Sequence, residues 1–391
     1  MTIQMKAPDI RFENFSGDWQ DKGIGSILAE TRRPVELLDN ELYQLVTVKR
    51  RNEGVVARAS LKGKDILVKN YFGIKSGDYL ISKRQVVHGA NGIVPESLDN
   101  AVVSNEYLVV TDSDEITAKF WTVISKRHQM HKLFFISSYG VDIEKLVFDV
   151  MDWKSRVITI PDVTEQSAIT DYFRQLDNLI NQHQQRHEKL SNIKKAMLEK
   201  MFPKPGETTP EIRFKGFSGE WLSVPLSKIA NKYDNLRIPV TAKDRISGNT
   251  PYYGANGIQG YIDGYTHDGE YVLLAEDGAN DLKNYPIHYV NGKVWVNNHA
   301  HVLQANEQNS NLFLKYVLAS IDFEPFLVGG GRAKLNASVM MDIEVMITED
   351  IEEQTIIGNY FQKLDALINQ HQQQITKLTN IKQACLSKMF V

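Results

Sequence analysis

Residues 165–202 read EQSAITDYFRQLDNLINQHQQRHEKLSNIKKAMLEKMF, and residues 353–390 read EQTIIGNYFQKLDALINQHQQQITKLTNIKQACLSKMF. About two-thirds of the aligned positions are identical. In the first copy, apolar residues fall at Ile169, Tyr172, Phe173, Leu176, Leu179, Ile180, Leu190, Ile193, Met197 and Met201. Steps of three and four dominate, which marks one face of a helix. The second copy keeps the stripe at Ile357, Tyr360, Phe361, Leu364, Leu367, Ile368, Leu378, Ile381, Leu386 and Met389. Each helix would be about 50 Å long at 1.5 Å per residue. Such a helix cannot bury its own stripe, so two near-identical ones most simply bury against each other as a coiled coil. The shared Asn-Gln-His-Gln-Gln tract, with His183 and His371, reads as a polar stretch of the seam that sets register. Pro203, Pro205, Gly206 and Pro210 end the first helix hard, and the second runs to the end of the sequence. The order is domain, helix, linker, domain, helix. For the last helix to return along the first, the pair must be antiparallel, which gives pseudo-two-fold symmetry inside one chain.

A shorter echo precedes each half: IRFENFSGDW from Ile10 and IRFKGFSGEW from Ile212. The inserts between the echoes differ in sequence and length. A duplicated frame with diverged inserts is the layout of two different readers held in one geometry. Both inserts read as mixed α and β. In the first, LVTVKR, DILVKNY, DYLISKR, AVVSNEYLVV and SRVITIP read as strands and residues 117–135 as one helix. In the second, YVLLAE, KVWVNNHAHVLQA and DIEVMIT read as strands and NLFLKYVLASI as a helix. Gly-Ala-Asn-Gly-Ile occurs at Gly89 and at Gly254, which reads as shared turn chemistry rather than an aligned site. The fold class is α+β, with two globular mixed α/β domains separated and joined by two long antiparallel coiled-coil helices. The boundaries are 1–164 for the first domain, 165–202 for the central helix and 203–211 for the linker. The second domain is then 212–352 and the last helix 353–391.

A length of 391 residues exceeds one ordinary core, which agrees with at least two domains. No apolar run is long enough to span a bilayer, and MTIQMKAPDIRF lacks the pattern of a signal peptide. One cysteine, Cys385, excludes an internal disulfide framework and fits a reducing cytoplasm. It aligns with Met197, so it reads as a small apolar core residue. The net charge of −3 gives no global sign of nucleic-acid binding, and any such reading rests on local charge.

That local charge lies in residues 49–91. Lys49, Arg50, Arg51, Arg58, Lys62, Lys64, Lys69, Lys75, Lys83 and Arg84 stand against Glu53, Asp65 and Asp78. Tyr71, Phe72, Tyr79, Gln85, His88 and Asn91 interleave with them. Lysine and arginine neutralise phosphates, and Arg, Gln, Asn and His also read base edges in the major groove. The second insert is less basic but rich in amides and tyrosines: Arg245, Tyr252, Tyr253, Asn256 and Gln259, then Asn297, Asn298 and His299. The turn GGGRAKLNAS follows, with Arg332, Lys334 and Asn336. Backbone amides and two cations there can receive a phosphate. It lacks the G-x-x-x-x-G-K-[ST] spacing of a nucleotide P-loop. Lys83→Ala is expected to weaken binding on every sequence, and Asn256→Ala to relax the sequence preference of its own domain only.

His183 and His187 sit one turn apart, the spacing of a metal-ligand pair. His371 repeats the first, but Ile375 replaces the second, and no carboxylate or cysteine completes a set, so no metal is expected. The chain has no G-x-G-x-x-G opening a βαβ unit, no H-E-x-x-H and no G-x-S-x-G. It also has no N-P-P-[YF] or D-P-P-[YF], and no convincing acidic-acidic-lysine nuclease cluster. Together these point to a binder rather than an enzyme.

The chain resembles the specificity subunit of type I restriction-modification systems. The resemblance rests on the twin openings Glu165-Gln166 and Glu353-Gln354, continued by YFRQLDNLI and YFQKLDALI. The IRF-x-x-F-S-G-x-W segments, SGNTPYYGANGIQGYID and GGGRAKLNAS add to it. Pro161 stands in the family's usual place before the first helix, whereas Glu349 takes that place before the second. The resemblance implies two target-recognition domains, each reading one half of a split double-stranded DNA target. It implies a non-catalytic chain with no cofactor of its own, in the cytoplasm and not on a membrane. The paired helices would set the gap and dock two modification subunits that carry S-adenosylmethionine and methylate adenine. Restriction subunits using ATP and Mg would complete a nuclease. Pairing and docking would fall to Tyr172, Phe173, Leu176, Leu179, Ile180, His183, Leu190 and Ile193. Their counterparts are Tyr360, Phe361, Leu364, Leu367, Ile368, His371, Leu378 and Ile381. A stand-alone bivalent DNA-bridging protein is the alternative, and an enzyme with an unrecognised site the third reading. The first predicts steeply salt-dependent binding without sequence preference. The second predicts turnover by the purified chain.

Overall fold

The computed structural model describes residues 6–67, 70–329 and 333–391. The chain divides into two compact units, one formed by residues 1–182 with 374–391 and the other by 183–373. The two repeats are the long helices Val163–Met201 and Ile351–Lys388. Each helix is shared: its first part belongs to one unit and its last part to the other. The sequence boundaries at 164 and 352 therefore fall inside helices that start slightly earlier, and each compact unit includes parts of both helices.

In unit 1, Leu42–Lys49 and Gly54–Lys62 form a hairpin in a five-stranded sheet with Val102–Ser104, Tyr71–Gly73 and Pro34–Val35. A four-stranded sheet holds Ala29–Glu30, Tyr107–Thr111, Tyr79–Ser82 and Asn91–Ile93. The entry strand Gln20–Gly23 pairs antiparallel with the exit strand Val157–Ile160. Residues 117–135 are not one helix. Ala118–Ile124 and His128–Ile136 are separated by a turn at Ser125–Arg127. The break has a physical reason: it lets buried Ser125 meet the Tyr79 hydroxyl at 2.6 Å and turns Lys126 towards Asp177. The DILVKNY segment is a short 3-10 turn at Gly63–Asp65 and then the strand Tyr71–Gly73, with Val68 and Lys69 outside the described residues.

Unit 2 is built around a six-stranded sheet. Its order is Ala230–Lys232, Ala300–Ala305, His267–Ala275, Ile287–Val296, Thr250–Gly254 and Gly257–Ile262. Helix Asn311–Ala319 packs on it, and Leu222–Pro225 pairs with Glu344–Ile347 as the entry and exit strands do in unit 1. The two Gly-Ala-Asn-Gly-Ile copies sit in different local structures. Gly89 leaves a 3-10 turn with φ +75° before the strand Asn91–Ile93, whereas Ala255-Asn256 is the tip of a hairpin.

The Glu-Gln dipeptides bind helix to body through the same Arg–Glu pair in the two units, while the glutamine changes part of its partner set. Asp162 and Asp350 cap the helices, accepting from the Glu165 and Glu353 amides. Glu165 is buried and accepts from Arg11 Nε and Nη2 at 2.8 and 2.7 Å. Gln166 donates to the Pro161 and Glu115 carbonyls and accepts from the Thr117 amide. In unit 2, Glu353 receives Arg213 at 2.6 and 2.7 Å. Gln354 donates to the Thr348 carbonyl and Asn309 and accepts from the Ser310 amide. The exit lacking proline thus uses the carbonyl of Thr348 instead. The Ile10 amide bonds the Lys388 carbonyl, and the Ile212 amide bonds the Lys200 carbonyl, so each IRF segment closes the end of a long helix. Trp19 packs edge-on against Phe390 and Trp221 against Phe202, at 5.8 Å in both cases.

Helix pairing is antiparallel in each unit. Tyr172 meets Cys385 and Asp177 meets Lys382 in unit 1, while His183 meets His371 and Lys194 meets Asp365 in unit 2. The stripes do more than face each other. Phe173 and Leu176 lie in the core of unit 1, with Tyr172, Leu378 and Ile381 packed on it. Phe361 and Leu364 lie in the core of unit 2, with Leu190, Ile193 and Tyr360 packed on it. Burying such aromatic and aliphatic side chains contributes about 1.5–3 kcal/mol each, so the helix ends are core elements of the units. Ile180 and Ile368 are half-buried, and Leu179 and Leu367 remain exposed at equivalent positions.

Candidate nucleic-acid interface

In unit 1 the hairpin turn after Lys49 carries the basic run. Arg51 and Asn52 take left-handed conformations, at φ 59° and 56°. Such a φ costs free energy outside glycine, and here the amides of both residues are held by the carbonyls of His88 and Gly89 at 2.7 and 2.8 Å. This brings distant predicted residues together. Arg50 Nε donates to Gln85 at 2.8 Å, and Asn91 donates to Asn52 at 3.1 Å. Glu144, which lies far from the basic run in sequence, accepts from Arg50 at 2.7 Å and lies 3.6 Å from His88 Nε2. Lys49 is exposed, with Glu53 4.0 Å away. Arg58 stands at the bulge of the strand, where Leu45 pairs with Ala59 but Val46 with Ala57. Arg84 is exposed and paired with Glu106 at 2.8 Å. Lys83 is drawn inward. It donates to the Asn105 carbonyl at 2.7 Å and lines a 220 Å³ cleft with Arg32, Asn70, Phe72 and Tyr107. Burial, and then the Arg32 charge, push its ammonium below the usual lysine range. Lys69 lies outside the described residues.

In unit 2 three separate stretches converge on Glu276–Asn280. Asn256, at the hairpin tip, donates to the Gly278 carbonyl and accepts from the Asn280 amide, both at 2.9 Å. His299 pairs with Asp277, and Lys334 reaches Glu276 at 3.1 Å. Arg245 lies 4.0 Å over the ring of Tyr252, near Gln259. Tyr252 is buried and its hydroxyl bonds both the amide and carbonyl of Val240, so it is scaffold under that arginine. Asn297 is buried, accepting from the His299 amide, while Asn298 is exposed beside it. Tyr253 is half-buried, 6.0 Å from His288. Asn336 starts the short helix Ala337–Met341. Arg332 lies outside the described residues. The turn at Ala255-Asn256 is thus braced at its tip, with Gln259 and Asn298 exposed and Arg245 half-buried over Tyr252.

A charge network beneath this surface had no sequence signal, because its members are scattered. Arg237 bonds Glu276 at 2.6 Å and lies 3.5 Å from Asp234, and His301 bridges Asp234 and the Leu335 carbonyl at 2.7 and 2.9 Å. Asp234, Glu276 and His301 present ligand atoms within 4.8 Å of one another. The Arg237 guanidinium and the Lys334 ammonium are already the counter-charges of that cluster, so it does not favour a metal cation. His183 and His371 meet through their Nδ1 atoms at 2.9 Å as a hydrogen-bonded pair across the seam.

Burial holds His267 and His288 below the usual imidazole range. Protonation is opposed in the fold but not in the unfolded chain, so below about pH 6.5 the unfolded chain binds more protons and stability rises with pH. Their contribution is fully present above that value and is lost as pH falls. The unit 2 unfolding midpoint is expected to drop between about pH 7.5 and 5.5, and H267Q with H288Q to flatten the profile, as read by thermal unfolding. Asp234 and Glu276 titrate below the usual carboxylate range because His301 and Arg237 outweigh their burial. Their contribution goes only at more acid pH.

Comparisons place this architecture. Residues 218–380 match the family described as type I restriction modification DNA specificity domain. A Haemophilus influenzae (strain ATCC 51907 / DSM 11121 / KW20 / Rd) chain named for the specificity subunit of a type I restriction enzyme is 44% identical over 167 residues, 43% of each chain. The Escherichia coli type I restriction enzyme EcoprrI specificity subunit is 24% identical over 135 residues, 34% of this chain and 32% of that one. The aligned part is thus less than half the length of the curated relatives it matches. The fold is that of a type I restriction-modification system S subunit from M. genitalium, with a TM-score of 0.70, 15% identity and coverage of 98% and 99% of the two chains. The family match therefore lies on the second body and most of the last long helix.

Proposed function

We propose that this chain is the DNA-specificity subunit of a type I restriction-modification system. Each unit reads one half of a split double-stranded target, and the paired helices hold the halves at a fixed gap. The observation that carries this reading is the doubled anchor. The same Arg–Glu pair joins helix to body in both units, while the surfaces above it differ. Identical mounts with different faces suit an asymmetric two-part site. Arg50, Arg51, Gln85 and His88 form the face of unit 1, with phosphate contacts from Lys49 and Arg84. Arg245, Gln259 and Asn298 form that of unit 2. Residues 1–164 and 212–352 are the two readers, with the central helix 165–202 and the linker 203–211 between them.

The partners follow from the same reading. The equivalent exposed leucines Leu179 and Leu367 offer one apolar site on each helix, which suits two copies of a methyltransferase subunit. That partner would supply S-adenosylmethionine and methylate adenine, and restriction subunits would bring ATP and Mg. The chain itself would do no chemistry. The test is methylome sequencing of cells expressing the chain with its modification subunit. N6-methyladenine in one gapped two-part motif, lost on removal of residues 353–391, is the expected result. DNA binding with no methylated motif would instead favour a bridging protein.

A further inference from the structure

Each unit carries a second, charged tie between helix and body that lies outside the proposed DNA faces. In unit 1, Asp177 takes Lys382 from the other long helix and lies 3.6 Å from Lys126 of the body. In unit 2, Asp365 takes Lys194 from the other long helix and Lys315 of the body, both at 2.6 Å. Tyr316 adds a hydroxyl to the same carboxylate at 2.8 Å. In both units, then, one carboxylate joins three elements: its own helix, the antiparallel helix and the α/β body.

Duplication explains two members of each set, since Asp177 aligns with Asp365 and Lys194 with Lys382 in the repeats. It does not explain the third. Thr117 and Ser310 are equivalent, each capping a body helix and donating its amide to the glutamine of the Glu-Gln pair. Lys315 stands five residues past Ser310, where unit 1 has Thr122, whereas Lys126 stands nine past Thr117. The two bodies bring a lysine to the equivalent aspartate from positions four residues apart, Lys315 within its helix and Lys126 in the turn that follows its own. Burial pushes the ammonium groups of Lys126 and Lys315 below the usual lysine range. A desolvation cost accepted twice, from non-equivalent positions, marks a contact with a job.

Geometry suggests the job. The Glu-Gln anchor sits at the helix start, and the aspartate lies twelve residues on, about 18 Å along the axis at 1.5 Å per residue. Apolar packing of Phe173 and Leu176 in unit 1, and of Phe361 and Leu364 in unit 2, is non-directional and tolerates small rotations, whereas a charged tie at that distance from the anchor opposes them. Slippage of the helix pair by one residue would also draw Lys194 from Asp365. We propose that Lys126–Asp177–Lys382 and Lys194–Asp365–Lys315 are latches that fix each body's rotation on the helix pair. Asp177 and Asp365 are then positioning residues for the gap. The proposal rests on the function proposed above, because one base pair of gap turns the second half-site by about 34–36°.

The test is the methylated-motif profile of whole complexes carrying D365N or the milder K126M, with K363Q, an exposed change on the same helix as Asp365, as control. The wild type and K363Q are expected to share one gap. In D365N and K126M, methylation at gaps one base pair longer or shorter should rise about tenfold relative to the parent gap, with both half-site sequences unchanged. A lowered unfolding temperature with an unaltered gap profile in K126M, or uniform loss at every gap, would overturn the latch. If the wild type itself methylates no gapped motif, the failure lies with the specificity reading. Failure of D365N to fold leaves K126M to decide.

Discussion

Arg213→Ala is expected to destabilise unit 2 by about 3–5 kcal/mol, the usual cost of leaving a buried charge without its partner. Glu353 is fully buried, and Arg213 supplies two of its bonds. The same guanidinium also holds the carbonyls of Ser218 and Gly219, so one truncation frees the IRF segment from the helix start. The glutamate has no alternative cation among the described pairs and would be left acceptor-only in a dry site. Denaturant unfolding followed by hydrogen exchange over residues 351–364 reads the effect directly. Arg213→Ala combined with Glu353→Gln should recover part of the loss, because a neutral amide costs less to bury. A change below about 1 kcal/mol would show that this pair behaves like a surface bridge.

A seven-residue insertion in the central helix alone, after Gln182, is expected to abolish specific methylation. It moves Lys194 and Ile193 by about 10.5 Å against an unchanged partner helix. Within unit 2 that separates His183 and Lys194 from His371 and Asp365 together. A matched insertion in both helices, after Gln182 and after Gln370's neighbour His371, restores pairing on a longer spacer. The added 10.5 Å corresponds to about three base pairs of the duplex at 3.4 Å each. The methylated motif should then keep both half-sites and gain about three base pairs of gap. The same gap in the doubly inserted chain would mean that the helices are not the ruler.

Much of this was legible because it is periodic or repeated. The long helices, their opposed direction and the role of Cys385 as a small buried residue follow from a stripe present twice. What was not legible depends on tertiary neighbours. Residues 117–135 carry an unbroken helical composition, yet Ser125 is needed by Tyr79 and Lys126 by Asp177, and these contacts split the helix. Residue type alone makes Tyr252 and Asn256 surface readers. The fold puts the first beneath Arg245 and spends both ends of the second's amide on the Gly278–Asn280 loop. Asn256→Ala is therefore expected to act by loosening that loop. Arg237, Glu276 and Glu144 gave no local signal because their partners are far away in sequence. Alternation and spacing carry information about which face is buried, but not about which distant charge will meet it.

The most direct test of the central claim changes one reader and maps the whole motif. The hairpin face of unit 2 would be altered by Arg245→Ala with Gln259→Ala, and methylated motifs sequenced from cells carrying the variant complex. One half-site is expected to relax, while the other half-site and the gap stay as in the parent. Relaxation of both halves, or loss of methylation on every sequence alike, would contradict two independent readers on one frame.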